Sequence, residues 1–523
     1  MVERILLNVN LILFMYLLFK KLRRGLHILQ LENYHNDRYL LWIRKNFLEV
    51  FKPFELILYV GSILLMIFNQ VYPAFIIQMI SILIMMIFAR KRKEKKAFVV
   101  TARIKRMYIT LLLIEAIIVT VCNIVNNYVA SLIIIDITLL IGYLFVYIIN
   151  ILNVPVEAMI RNKFCNMAKK KLKDIPDLKV IGITGSYGKT STKNAVNSII
   201  SVKYNSLMTP ESYNTTMGVV RTINEKLEPI NNAFVCEMGA KYVGDIKEIC
   251  DIVKPQYAII TAIGPQHLDT FKTLDNVRKT KLELVDSLPE DGIAFINWED
   301  ENIRESKINC KNVIKYGLTK ESDYYAENLQ ITEFGSTFDV VLKDGRRVEI
   351  KTKLLGKLNI LNIICAAAVA DTLGMSENQI KIGAKFIKPV EHRLQLKKNP
   401  NGSIIIDDAY NSNVKGASMA LDVLKSFKGR KRILITPGIV ELGDKQHEIN
   451  EDLGINAAKS ADYVILVGEK QAIPIKEGLE KAKYKEENIY VAKNINEAIE
   501  KMKAIMDSNT VVLLENDLPD NYL

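Results

Sequence analysis

The sequence predicts an α-helical membrane region followed by α/β structure: a phosphate-loop central domain and a smaller doubly wound α/β C-terminal domain. Three observations carry this expectation. Residues 1 to about 153 are dominated by Ile, Leu, Met, Phe and Val. After Pro155, short apolar runs alternate with amphipathic segments, the pattern of strands and covering helices. Between Val180 and Ser191 an apolar run enters a glycine turn that opens on Lys189-Thr190, the layout of a loop that cradles phosphate at a helix N-terminus. The expected domains are 1–153, 154–392 and 393–523, which suits a chain of 523 residues.

In the first region we read candidate spans at about 4–19, 54–70, 72–89, 107–125 and 129–149, since a crossing helix needs about 20 mostly apolar residues. The first is short and interrupted by Asn8 and Asn10; Lys-Lys-Leu-Arg-Arg follows it rather than a small-residue cleavage site, which favours a signal anchor over a cleaved signal. Basic stretches 20–53, 90–106 and 161–173 alternate with turns lacking Lys and Arg. The positive-inside rule then places the N-terminus outside and residues from 154 onward in the cytosol, making this a multi-pass cell-membrane protein. The same placement accounts for much of the +12 net charge without a nucleic-acid partner. Glu115 and Asp136 fall within spans and are functional candidates by position, although neither has an evident relay. The six cysteines show no C-x-x-C pair, so neither a zinc site nor a disulfide framework is expected.

In the soluble region, buried parallel strands are expected at 180–183, 233–236, 257–262, 293–296, 404–406, 433–435, 464–467 and 511–514, with helices such as 191–200, 244–252 and 417–427 between them. The two domains should join near 390–402, where Lys397 to Gly402 reads as a turn. The glycine loop misses the strict G-x-x-x-x-G-K-[ST] pattern because Ile183 stands five before Gly188. Lys189 can still reach phosphates and the Thr190 hydroxyl a Mg²⁺ ion. Strand ends supply further groups where ligands sit in open α/β sheets: Glu237, His267 in the loop after 257–262, and Asp407-Asp408-Ala409-Tyr410-Asn411.

These pieces together resemble the Mur ligase family, closest to the MurF type that adds D-alanyl-D-alanine to UDP-N-acetylmuramoyl-tripeptide. The resemblance covers about residues 178–470 and rests on T-G-S-Y-G-K-T-S (184–191), Y-N-T-T-M-G (213–218), E-M-G-A (237–240), Q-H-L-D-T-F (266–271) and K-L-E-L (281–284), with I-N-W-E-D (296–300), L-G-K-L-N-I-L-N (355–362), H-R-L (392–394), D-D-A-Y-N-S-N (407–413) and E-L-G (441–443). It implies ATP and Mg²⁺, two ions in number, as cofactors. It also implies a muramoyl-peptide or lipid-linked precursor as donor, and an amino acid or a dipeptide such as D-Ala-D-Ala as acceptor.

By the same resemblance, Gly185, Ser186, Gly188, Lys189, Thr190 and Ser191 hold the ATP phosphates. Asn359 and Asn362 lie near the adenine, Arg393 contacts phosphates, and Asp407 lies near the ribose. Thr190, Glu237, His267 and Lys281 hold metal, Lys281 as a carbamate. The catalytic set is Lys189, Lys281, His267 and Arg393, and the substrate-facing residues are Asn214, Thr215, Tyr410 and Asn411. Three departures stand out. The UDP-gripping N-terminal domain is replaced by the membrane region; Leu358 and His392 replace the usual His and Gly; and Leu513 to Pro519 stands where many relatives have Lys-Gly-Ser. They leave open a lipid-linked or polymeric donor, as in a polyglutamate-type synthetase, or a scaffold that keeps the fold without the chemistry.

Overall fold

The computed structural model describes residues 2–32, 34–68, 70–88, 97–124, 127–211, 213–332, 335–409, 413–440 and 442–516. It divides into two compact units, residues 1–162 and 163–523.

The N-terminal unit is all helix among its described residues. Arg4–Leu31, Ala102–Ile124 and Gly142–Lys173 are long and apolar enough to cross a membrane, while Pro53–Leu65, Tyr72–Met85 and Val129–Leu140 are shorter apolar helices. The spans expected at 54–70 and 72–89 fall among these shorter helices, and the first and last expected spans have other bounds. The first runs from Val2 through the basic stretch to Leu31, because Lys21 turns inward to Glu55 at 2.8 Å and to the Leu139 carbonyl at 2.9 Å. The last splits at Ile141, whose backbone N–H caps the helix Tyr128–Leu140, and Gly142 opens the next. Asp136 is buried and accepts from the Gln78 amide at 2.8 Å.

Among its described residues the second unit contains three sheets. Strands β1 (Lys179–Thr184), β2 (Ser206–Met208), β3 (Ala233–Glu237), β4 (Tyr257–Ile260), β5 (Ile293–Asn297) and β6 (Asn312–Tyr316) form a parallel sheet ordered β2-β3-β1-β4-β5-β6. Successive side chains point to opposite faces. Ile181, Ile183, Val235, Ile259 and Phe295 accordingly join one core, and Val180, Phe234, Cys236, Ala258, Ile260 and Ile296 join another. Strands buried on both faces read as continuous apolar runs, which is why they were legible in the sequence.

Strands β7 (Tyr325–Thr332), β8 (Gly335–Val341) and β9 (Arg347–Thr352) form an antiparallel sheet that the apolar pattern did not foreshadow. β7 is exposed along much of its length, and β9 alternates charged with apolar residues. The third sheet, β10 (Gln395–Lys398), β11 (Ile404–Asp408), β12 (Lys431–Thr436), β13 (Tyr463–Val467), β14 (Ile489–Ala492) and β15 (Thr510–Glu515), is ordered β10-β11-β15-β12-β13-β14 and is parallel apart from β10. The turn expected at 397–402 is the hairpin between β10 and β11. Just before it, the chain between Lys385 and Gln395 has neither helix nor strand.

In this last domain the helices Gln446–Ala458 and Glu469–Lys481 pack through Gly454 and Gly478. A Cβ on Gly478 would run into the Glu451 carbonyl, a backbone atom that cannot turn aside. Gly478→Ala is therefore expected to cost about 1–3 kcal/mol by overpacking, seen as a fall in Tm with nucleotide binding retained below it.

Candidate functional site

The glycine loop follows β1, with β3 on one side and β4 on the other. This is the point where strand order reverses and ligands bind at strand carboxyl ends. Gly185 has φ +154°, and a Cβ there would run into the Thr261 hydroxyl. Gly188 is left-handed at φ +81° and caps the helix Lys189–Ile200. The Ser186 N–H donates to the Ala262 carbonyl at 2.8 Å, and its hydroxyl donates to the Gly264 carbonyl at 2.9 Å. These bonds tie the loop to the segment after β4.

Lys189 folds back so that its ammonium donates to the Gly185 carbonyl at 2.7 Å and to that of Ser186 at 3.3 Å. Burial lowers its pKa to about 8, with Glu237 opposing the shift and Arg393 adding to it. Ser191 stands in the first turn of the same helix.

Register places Glu237 at the end of β3 opposite Ile183, and the site is built around its carboxylate. Oε1 accepts from the Thr190 hydroxyl at 3.2 Å and from the Asn214 amide at 3.0 Å. The Lys193 ammonium lies 3.1 Å from Oε2, with both side chains 1 % exposed. Oε2 accepts no hydrogen bond among the described residues, which suits a carboxylate that receives a cation. Lys193 was missed in the sequence, although its place one helical turn after Lys189 puts both on one face.

Lys281 lies on the helix Leu274–Asp286, buried, with no hydrogen-bond partner among the described residues. Burial, reinforced by the charge of Lys189, lowers its pKa to about 7. Its motif partner Glu283 faces elsewhere, accepting from the Gly244 and Lys247 N–H groups at 2.7 and 3.0 Å and so capping the helix Asp245–Val253. His267 sits after β4 at φ +52°, its carbonyl held by the N–H groups of Thr270 and Phe271.

The expected nucleotide contacts gather nearby. Asn362 accepts from the Thr192 hydroxyl at 2.8 Å, while its own Nδ2 has no partner among the described residues. The Asn359 amide donates to the Leu355 carbonyl at 2.8 Å. Both line a small cavity with Ser191 and Arg393. Asp407 is engaged otherwise, by Lys397 at 2.6 Å and His392 at 2.9 Å. Burial alone would raise its carboxyl, but the contacts from Lys397 and His392 outweigh that and hold it below the usual range. Thr215 is exposed, and its hydroxyl accepts from the Gly218 N–H as a helix N-cap. Tyr410 and Asn411 lie outside the described residues, as does Glu441 of the last motif. A cleft of about 420 Å³ lies between the loop's Tyr187, Asp300 and the helix bearing Lys415. The Tyr187 hydroxyl donates to Asp300 at 3.0 Å, and Lys415 lies 3.6 Å from the same carboxylate.

A family profile described as Mur ligase middle domain matches residues 183–370, and one described as Mur ligase, glutamate ligase domain, matches 392–515. The UDP-N-acetylmuramoyl-tripeptide–D-alanyl-D-alanine ligase of Escherichia coli is 32 % identical over 297 residues, covering 56 % of this chain and 65 % of the relative. That of Bacillus subtilis is 29 % identical, covering 55 % and 62 %. That of Haemophilus influenzae is 31 % identical, covering 58 % and 67 %. The chain thus spans just under two thirds of the first two relatives. Among solved structures, MurF from Acinetobacter baumannii superposes with TM-score 0.62 at 25 % identity, over 68 % of this chain and 77 % of that one. MurF ligase from Thermotoga maritima in complex with ADP gives 0.61 at 24 %, over 68 % and 80 %. With both domain profiles matched in order and the glycine loop, Glu237 and Lys281 standing within the first, the chain belongs to the Mur ligase family.

Proposed function

We propose that this chain is an ATP-dependent amide ligase of cell-wall precursor synthesis. It would activate a muramoyl-peptide carboxylate as an acyl phosphate and join it to an amino acid or dipeptide, D-Ala-D-Ala being the acceptor in the relatives' name. The observation that carries this reading is the convergence of Thr190, Asn214 and Lys193 on Glu237 beside a phosphate loop.

The donor set suits Mg²⁺: among the described residues, an Oε2 without a hydrogen bond, a threonine hydroxyl resting on the same carboxylate, and a buried Lys281 without a hydrogen-bond partner. Thr190, Glu237 and His267 would hold metal, with Lys281 joining them once its free amine has added to CO₂ and lost a proton to become a carbamate. Bound there, Mg²⁺ supplies charge neutralisation for the triphosphate.

The chain's own groups do the rest. The loop N–H groups and Lys189 hold the phosphates in line with the incoming carboxylate, and Asn214 and Thr215 face the donor. The carboxylate oxygen attacks the γ-phosphorus and ADP leaves. The acceptor amine then attacks the acyl carbon, forming the C–N bond and losing a proton as phosphate departs. Positioning and electrostatics supply most of the acceleration in such transfers. Arg393, on the connection between domains, would close onto the nucleotide.

We further propose that the N-terminal unit anchors the enzyme in the cell membrane with the catalytic unit cytoplasmic. Three long apolar helices and their basic flanks support this. A second reading, a lipid-linked donor, is favoured by the apolar unit preceding the matched region. Assaying ADP release with UDP-linked and undecaprenyl-linked muramoyl-tripeptide, each with D-Ala-D-Ala, tests both. ADP formation that requires donor and acceptor together is expected, and strong turnover of the soluble donor alone rejects the lipid-linked reading. No turnover with either pair rejects the D-Ala-D-Ala assignment.

A further inference from the structure

We propose that Lys193 is a positioning residue that couples the metal-holding carboxylate to the donor-facing segment, making cation loading and donor binding one linked event. The ligase reading above supplies the donor's identity; the cation half of the inference stands without it.

Lys193, itself buried, makes a buried contact and a part-buried one. Its ammonium lies 3.1 Å from Glu237 Oε2 and donates to the Glu211 carbonyl. Glu211, left-handed at φ +43°, opens the segment that delivers Asn214. The Asn214 amide returns to the other oxygen of Glu237 at 3.0 Å, and its carbonyl accepts from the Gly239 N–H at 2.7 Å. A Cβ on Gly239 would stand 2.8 Å from the Asn214 side chain. One carboxylate is thus held on Oε2 by the phosphate-loop helix and on Oε1 by the donor segment, and Lys193 holds the start of that segment too.

A neutral donor could satisfy Oε2. A fixed positive charge also balances a carboxylate that is otherwise costly to bury. A divalent cation binding Glu237 would meet a carboxylate that Lys193 already orients, and the same ammonium holds the start of the donor segment through the Glu211 carbonyl. Partners that orient a metal ligand from behind typically contribute 10–100-fold in metal affinity.

The test is Mg²⁺-dependent ADP binding by calorimetry on the full chain in detergent. Lys193→Met is expected to raise the half-saturating Mg²⁺ concentration about tenfold or more, leave ADP binding in EDTA unchanged, and be partly rescued in Lys193→Arg. A wild-type Mg²⁺ dependence in Lys193→Met overturns the proposal. If that variant does not melt cooperatively, hydrogen exchange on the wild type decides. Mg²⁺ with ADP, compared with ADP in EDTA, is expected to change exchange at Glu211, Asn214 and Gly239, and no change overturns the coupling. Neither readout needs a muramoyl donor, so failure of the ligase assignment remains distinguishable.

Discussion

Lys281→Ala is expected to lower ADP formation by about 10³-fold, the upper range for losing one preorganised electrostatic group, while barely moving Tm. The two halves of that expectation have different causes. A lysine whose pKa falls from 10.5 to about 7 binds fewer protons folded than unfolded between those values. Stability therefore rises with pH across that window and is penalised below it, by up to about 5 kcal/mol at roughly 1.4 kcal/mol per unit. Alanine removes that penalty but leaves a cavity costing about 2–5 kcal/mol, so the two effects offset near neutral pH. Turnover has no such offset, because the carbamate charge is lost. Formate or acetate, which can lend a carboxylate to the vacated space, should restore part of the rate. Full activity in Lys281→Ala would contradict the carbamate assignment.

Glu237→Gln is expected to harm both properties. Lys193 and Glu237 are each 1 % exposed, so the neutral amide strands a buried ammonium, and breaking such a pair from one side costs about 3–5 kcal/mol. Turnover should also fall by about 10²–10³-fold, since the group that receives metal and positions Asn214 is gone. Denaturant unfolding and steady-state ADP release read the two effects separately. Adding Lys193→Met to Glu237→Gln should recover much of the stability and none of the activity. A stable, active single variant would remove Glu237 from the centre of the site.

The glycine loop, Glu237 and Lys281 were legible because each belongs to an ordered motif beside a doubly buried strand, where apolar runs are unmistakable. The strands β7 to β9 were not, since exposed β7 is largely polar and β9 alternates charged with apolar residues, so neither carries an apolar run. Lys193 was visible only as helical spacing from Lys189, and spacing does not reveal burial. Asp407 shows the reverse. The resemblance implies a ribose contact for Asp407, and folding sets its carboxylate beside His392 and Lys397, neighbours that its motif did not announce. The apolar segments were found, but their ends were not, because Lys21 finds Glu55 and so lets its helix continue past the basic run.

The acyl-phosphate step is the centre of the account, and isotope transfer tests it directly. A muramoyl-tripeptide donor labelled with ¹⁸O in its terminal carboxylate is incubated with the full chain, ATP, Mg²⁺ and D-Ala-D-Ala, and the released phosphate is analysed by mass spectrometry. Attack of the carboxylate on the γ-phosphorus predicts one ¹⁸O in each phosphate released. Unlabelled phosphate formed in step with product would contradict it.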